Sequence, residues 1–150
     1  MTTQAAIEDF LSSETFAVVG VSRKQRGFGY TVYNDLKDKG YKVYPVNPNT
    51  GTINGERCYP DVQSLPVKVD CAVLVVPPSG TERVVHDVAE AGIRRVWMQQ
   101  GAESDAAIKY CEEQGISVVS GECIMMFLTP RAFPHNMHHW VRGVIGKLPQ

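Results

Sequence analysis

Two spacings of apolar residues alternate along this chain. Short apolar runs at residues 16–19, 41–46, 71–76, 95–99 and 116–119 have the length and β-branched content of strands covered on both faces. Between them, apolar residues recur every three to four positions, as on one face of a helix. A helix over residues 28–39 carries Val32, Tyr33 and Leu36 inward and stops at Gly40. Ser79-Gly80-Thr81-Glu82 reads as a capping box opening a helix to about residue 91, with Val84, Val85, Val88 and Ala91 as its stripe and Gly92 as its stop. Residues 103–114 form another helix, with Ala107, Tyr110 and Cys111 inward and Gly115 at its end. A short amphipathic helix over residues 5–11, with Ile7, Phe10 and Leu11 on one side, precedes the first strand and packs on the sheet edge or on a partner. Asn47-Pro48-Asn49-Thr50-Gly51 is a dense turn signal, residues 53–59 make a short irregular excursion, and Pro77-Pro78 takes the chain out of the third long strand.

After the lead-in helix the order is β-α-β-β-α-β-α-β. Such alternation predicts an α/β fold, a Rossmann-like three-layer sandwich with a mostly parallel five-stranded sheet and right-handed crossovers. The 150 residues fit a single domain over 1–150, with a core at about 10–128 and a helical tail at about 129–150. At this length a domain buries roughly two-thirds of its unfolded surface and needs no covalent staples. In such sheets ligands bind beyond the carboxyl ends of the strands, where successive connections diverge. The segments 20–29, 46–48 and 76–79 converge there.

Charge narrows the partners. With 15 basic and 16 acidic residues and a formal charge of −1, the chain has no general attraction for nucleic acid or an anionic membrane, so any anion site is local. The N-terminal residues lack the pattern of a signal peptide and no apolar run reaches the length of a membrane span, which predicts a cytoplasmic protein. Cys58, Cys71, Cys111 and Cys123 lack the paired spacing of a zinc or redox centre. Cys71 and Cys111 read as small core residues.

The densest chemistry lies in TFAVVGVSRKQRGFG, residues 15–29, where a buried strand runs into a loop rich in glycine and positive charge. Gly20, Gly27 and Gly29 allow sharp turns and close backbone approach, and Ser22, Arg23, Lys24 and Arg26 supply donors and cations. A helix starting near Phe28 aims its positive end back at this loop. A solvated charged loop is the bland alternative, and its position after a buried strand favours phosphate binding. The GxGxxG fingerprint, an acidic end to the second strand and the GxxxxGK[ST] pattern are all missing. Arg23, Lys24 and Arg26 suit a ligand with more phosphate charge than NAD, such as coenzyme A.

The segments FAVVGVSRKQRGFGYTVYNDLKDKGYKVYPVNP, DCAVLVVPPSGTERVVHDVAEAGIRRVWMQQGAES and GISVVSGECIMM resemble the small bacterial CoA-binding proteins. These in turn resemble the CoA-binding domain of the succinyl-CoA synthetase α subunit and of related acyl-CoA ligases. The resemblance implies that Gly20, Val21, Ser22 and Arg23 wrap the phosphates, with Lys24, Gly27 and Phe28 completing the loop. It also implies that Val46, Asn47 and Pro48 border the adenosine end and that Val76 and Pro77 line the adjacent wall. The implied ligand is coenzyme A or an acyl-CoA.

No nucleophile elbow, HExxH motif or carboxylate pair marks a reaction centre. In the ligases that the domain resembles, the phosphorylated histidine and the nucleotide-activating machinery lie outside the CoA-binding domain, and none of His86, His135, His138 and His139 matches that nucleophile. The reading is a non-catalytic binding module acting as sensor, carrier or accessory subunit, alone, as a homodimer or with a ligase-like partner chain. An NAD(P)-dependent oxidoreductase and a detached subunit of an acyl-CoA ligase are the alternatives. His86 reads as a surface residue. His135, with His138 or His139, has the spacing of a helical metal site but lacks further ligands nearby, and a surface helix or oligomer contact suits that segment better. Gln99, Gln100, Gly101, Glu103, Glu122 and Cys123 follow strands at the ligand-facing end. Cys123 is either a small buried residue or a thiol able to form a mixed disulfide with coenzyme A.

Overall fold

The structure, a computed structural model, describes residues 4–21, 27–48, 51–53 and 55–124. Five strands, β1 (Thr15–Val19), β2 (Lys42–Val46), β5 (Cys71–Leu74), β6 (Arg95–Gln99) and β7 (Ser117–Glu122), make one sheet in the order β2-β1-β5-β6-β7. Every pairing in it is parallel. The predicted α/β, Rossmann-like sandwich is therefore the observed fold. The central β5 is buried along its whole length, while β2 and β7 at the edges carry exposed residues, as two-sided burial requires of the middle of such a sheet.

Helices α1 (Gln4–Leu11) and α2 (Phe28–Asp38) cover one face of the sheet. Ile7, Phe10, Val32, Tyr33 and Leu36 pack there with Phe16, Trp97 and Val119. On the other face α3 (Pro78–Glu90) and α4 (Asp105–Glu113) bury Val85, Val88, Ala107 and Cys111 against Ala17, Leu74, Val96 and Met98. α1 thus lies on the sheet face. Phe10 meets Trp97 edge-on at 5.2 Å, and Arg95 Nε donates to Asp9 at 2.7 Å. Cys71 and Cys111 are core residues as expected, and burial pushes their thiols up to about 12 and about 11.

Four local expectations change. The strand expected over residues 71–76 ends at Leu74, and α3 opens at Pro78 with no side-chain cap. Proline at the first helical position has no N–H to satisfy and a preset φ, so the capping box is unnecessary. Thr81 is instead buried and donates through Oγ1 to Ala102 O at 2.7 Å. The helix expected from residue 103 begins at Asp105, because Ser104 Oγ accepts from the Ala107 N–H as a true N-cap. The irregular excursion is an antiparallel hairpin, β3 (Thr52–Ile53) and β4 (Glu56–Arg57), that returns to the sheet through a bridge between Val46 and Tyr59. The hydroxyl of the buried Tyr33 donates to Glu56, and Lys37 Nζ lies 2.6 Å from the same carboxylate, tying the hairpin to α2.

Asp70 closes the end of the sheet opposite the ligand side. Its carboxylate accepts from the backbone N–H of Glu14 at 3.1 Å and of Thr15 at 3.3 Å, and these bonds, Glu14's foremost, hold its pKa below the ordinary aspartate value. A carboxyl depressed in the folded state contributes its full stability above the unfolded pKa and loses it as pH falls below about 4 and on through the folded value. Asp70→Asn should therefore lower stability at neutral pH and flatten the acid limb of stability against pH in chemical denaturation. An unchanged acid limb would contradict this role.

Candidate functional site

The chain leaves β1 through α2 on one face to reach β2, and leaves β5 through α3 on the opposite face to reach β6. β1 and β5 are neighbours, so the connections diverge between them and open a crevice at their carboxyl ends. The floor of this crevice is set by two glycines. Gly20 has φ +109°, and a Cβ there would lie 2.1 Å from Val75 O. A Cβ on Gly29 would lie 2.2 Å from Gly20 O. Only glycine at both positions lets the end of β1, the end of β5 and the first turn of α2 come together.

α2 begins at the N-cap Gly27, φ +93°, with no side-chain cap and no acidic residue in its first turn. Its N-cap residue thus supplies no partner to the N-terminal amides, which form the positive end of the helix dipole. Two other helices start at this end of the sheet: α4 is capped by Ser104 and carries Asp105 in its first turn, whereas α3 starts at Pro78 with neither a side-chain cap nor a first-turn acid. Ser104 Oγ also donates to Glu82 at 2.6 Å. The α4 start is therefore closed to an anion, whereas the α2 start is open and, unlike that of α3, follows the basic residues Arg23, Lys24 and Arg26 in sequence.

Of the residues singled out from the sequence, Gly20, Val21, Gly27, Phe28, Val46, Asn47, Pro48, Val76 and Pro77 all lie at this carboxyl end of the sheet. Ser22, Arg23 and Lys24 fall outside the described residues, as does Arg26. Val21 is wholly buried among core residues, so its backbone is the part available to a ligand. Phe28 is exposed at the head of α2. Asn47 fastens the site together: its Nδ2 donates to Val21 O at 2.7 Å and its backbone N–H to Tyr59 O at 2.8 Å. Val76 is half-buried against Gly80, and Pro77 stands exposed as the N-cap of α3.

Beside Val46 and Pro48 runs a cleft of about 540 Å³, within the usual size range of small-molecule sites. Val19, Val62, Val84 and Pro60 continue its apolar wall, and Asp61, Arg83, His86 and Asp87 stand along it. Sequence reading missed Asp61, Arg83 and Asp87. Helical spacing assigned Val84 to the core stripe, whereas it is only half-buried. The available signal was that Arg83 and Asp87 share a helix face with Val84 by their spacing.

At the far side of the sheet end, Gln99 is buried and committed at both ends of its amide. Nε2 donates to Cys123 Sγ at 3.1 Å and Oε1 accepts from the Ile124 N–H at 3.0 Å. Cys123 is partly exposed. Glu103 accepts from the Gly101 N–H, and His86 is exposed and packs against Tyr110 in a tilted arrangement with ring centroids 4.0 Å apart. Among the described residues no group of His, Cys, Asp and Glu is arranged to hold a metal, and no helix is long and apolar enough to cross a membrane. His135, His138 and His139 lie outside the described residues.

The model of the CoA binding domain family matches residues 14–129. The α subunit of acetate–CoA ligase [ADP-forming] II of Pyrococcus furiosus is 26% identical over 129 residues, covering 79% of this chain and 28% of that protein. This chain thus spans less than a third of the length of that relative. Among solved structures, a conserved hypothetical protein from Pyrococcus furiosus superposes with a TM-score of 0.71 at 40% identity, covering 75% of this chain and 97% of the other. The dinucleotide forming acetyl-coenzyme A synthetase 1 of Candidatus Korarchaeum cryptofilum, solved with phosphate and ADP, superposes with a TM-score of 0.67 at 29% identity, covering 75% of this chain and 26% of that one. With a match over most of its length and the same sandwich, the chain belongs to the CoA-binding domain family.

Proposed function

We propose that this chain binds coenzyme A or an acyl-CoA in the crevice between β1 and β5 and catalyses no reaction of its own. The observation that carries this reading is the uncapped, acid-free start of α2, held against the end of β1 by Gly20 and Gly29 and preceded by Arg23, Lys24 and Arg26. In this reading the pyrophosphate sits on the amides around Gly20 and Gly27–Phe28, with Ser22, Arg23 and Lys24 completing its shell. The adenosine lies toward Val46, Asn47 and Pro48, against the wall of Val76 and Pro77. Among the described residues no side chain near the crevice combines a nucleophile with a base to activate it, which supports carriage or sensing of the ligand over turnover.

A second reading is favoured by one finding, the likeness to a protein named as the α subunit of an ADP-forming acetate–CoA ligase. The chain would then be the CoA-holding part of a cytoplasmic assembly whose nucleotide chemistry resides in another chain. CoA-dependent ATP turnover that appears only when a partner chain is added would establish this reading.

Calorimetric titration of ligand-stripped protein with coenzyme A, acetyl-CoA, dephospho-CoA, NAD⁺ and NADP⁺ tests the proposal. Coenzyme A should bind at micromolar concentrations, and Arg23→Ala should weaken it about tenfold, the worth of one charge-assisted phosphate contact. Binding of NADP⁺ with none of coenzyme A would overturn the reading in favour of an oxidoreductase.

Two substitutions test the scaffold of the crevice. Gly29→Ala forces a Cβ against Gly20 O and should cost about 1–3 kcal/mol of stability in denaturant unfolding. It should also weaken coenzyme A binding, and a variant with unchanged affinity would show that α2 does not set the phosphate site. Asn47→Ala removes the bond to Val21 O and should weaken binding by about fivefold, the effect of about 1 kcal/mol, and lower the unfolding temperature by a few degrees, the effect of a similar loss of stability. Equal affinity would place the loop's support elsewhere.

A further inference from the structure

We infer that the open edge of β2 is a docking strip for an acidic, extended segment of another polypeptide, which pairs with the main chain of Val43 and sets carboxylates against Lys42 and Arg57. The strip involves none of the residues assigned to the coenzyme A crevice, and the inference does not rest on that reading.

β2 is an outer strand of the sheet, and its main chain alternates between β1 and the open side. The Lys42 N–H donates to Glu14 O at 3.2 Å and Val46 O accepts from the Gly20 N–H at 3.0 Å, so Lys42, Tyr44 and Val46 turn their main chain to β1. Pro45 O accepts from the Tyr59 N–H at 3.0 Å and the Asn47 N–H donates to Tyr59 O at 2.8 Å, so Val43, Pro45 and Asn47 turn theirs outward. Tyr59 covers the edge from Pro45 onward, and Pro45 has no N–H to offer. Val43 is left with an outward N–H and C=O, and neither has a hydrogen-bond partner among the described residues. An unpaired donor and acceptor on an edge strand are the groups with which an added strand takes its register.

Val43 lies in the wall of a groove of about 440 Å³ that residues of both β2 and β4 line. One side of it is aromatic and basic. Lys42 and Tyr44 share a face of the strand by alternation, Tyr59 meets Tyr44 edge-on with ring centroids 6.2 Å apart, and the Arg57 guanidinium lies 5.0 Å over the Tyr59 ring. Lys42 and Arg57 are exposed, and neither joins an ion pair among the described residues. The other charges of the groove cancel, since Lys37 is paired with Glu56 at 2.6 Å. Lys68, Glu14 and Asp70 follow beyond Lys42, and Asp70 is engaged by the N–H groups of Glu14 and Thr15, so the positive excess lies at the groove. Carboxylates at alternate positions of an added strand fall on the face that carries Lys42 and Arg57. A second copy of this chain would bring the same two cations to the contact, so charge selects an acidic partner over self-association.

The test is amide NMR of the full chain titrated with the end-blocked peptide Thr-Glu-Thr-Glu-Thr, whose glutamates share one face of a strand, and with its lysine counterpart. The acidic peptide should shift the Val43 amide saturably, with a dissociation constant of about 1 mM, as two main-chain bonds and two screened ion pairs allow. The lysine peptide should leave that amide unmoved. Arg57→Glu should weaken the acidic peptide about fivefold. Val43→Pro removes the outward N–H on the side where the strand already accepts Pro45, and should abolish binding as followed at the Tyr44 amide. If Val43→Pro fails to fold, Arg57→Glu decides. No saturable shift at Val43, equal shifts with the lysine peptide, or full affinity in Arg57→Glu would overturn the inference. Concentration-dependent shifts at Val43 without peptide would assign the edge to a second copy. Saturation of the same amides by a short oligothymidylate at lower concentration than by the peptide would assign it to nucleic acid, and either of these last results would overturn the acidic polypeptide as partner.

Discussion

The contact on which the rest of the site depends is the meeting of three backbone segments at Gly20. The N–H of Gly20 donates to Val46 O at 3.0 Å, its Cα faces Val75 O, and its own carbonyl lies under Gly29. A side chain at either glycine would wedge these segments apart. Their closeness brings the start of α2 to the edge of the sheet instead of leaving it raised above, and so places an uncapped helix end at the switch point. The crevice, its polarity and its position relative to the cleft all follow from that approach.

The same geometry explains how a chain with a formal charge of −1 can present an anion site. Among the described residues the α2 start carries no side-chain cap and no first-turn acid, and it follows a basic stretch of the sequence, while the α4 start is closed by its own serine cap and acidic residue. Asn47 joins this end of the sheet to the β3–β4 hairpin, which Tyr33, Lys37 and Glu56 anchor to α2. The depressed pKa of Glu56, held down foremost by its bond from Lys37, marks an anchor that strengthens with ionisation. The hairpin and Asn47 together therefore brace α2 against Val21 at the end of β1.

The large features were legible because each rests on a strong local signal. The run from Cys71 to Leu74 and the glycine stop at Gly40 need no tertiary information to read, and the parallel sheet follows from their alternation. What escaped depended on contacts between distant residues. Ser79 through Glu82 satisfied the capping pattern, yet Thr81 is drawn to Ala102 and Glu82 to Ser104, both on the loop that leads into α4. The β3–β4 hairpin is an exception, since its pairing is local and Asn54-Gly55 in the sequence was an available turn signal; only the bridge from Tyr59 to Val46 needed tertiary information. Asp61 and Asp87 line one cleft only once α3 packs beside the 3₁₀ turn, so that cleft had no counterpart in sequence spacing.

A crystal structure of the chain with coenzyme A bound would test the central claim most directly. The account predicts the pyrophosphate within hydrogen-bond distance of the backbone amides at the start of α2 and in the loop after Gly20, with the adenine lying against Val46 and Pro48. A pyrophosphate seated beyond β6 and β7, near Gln99 and Gly101, would contradict it.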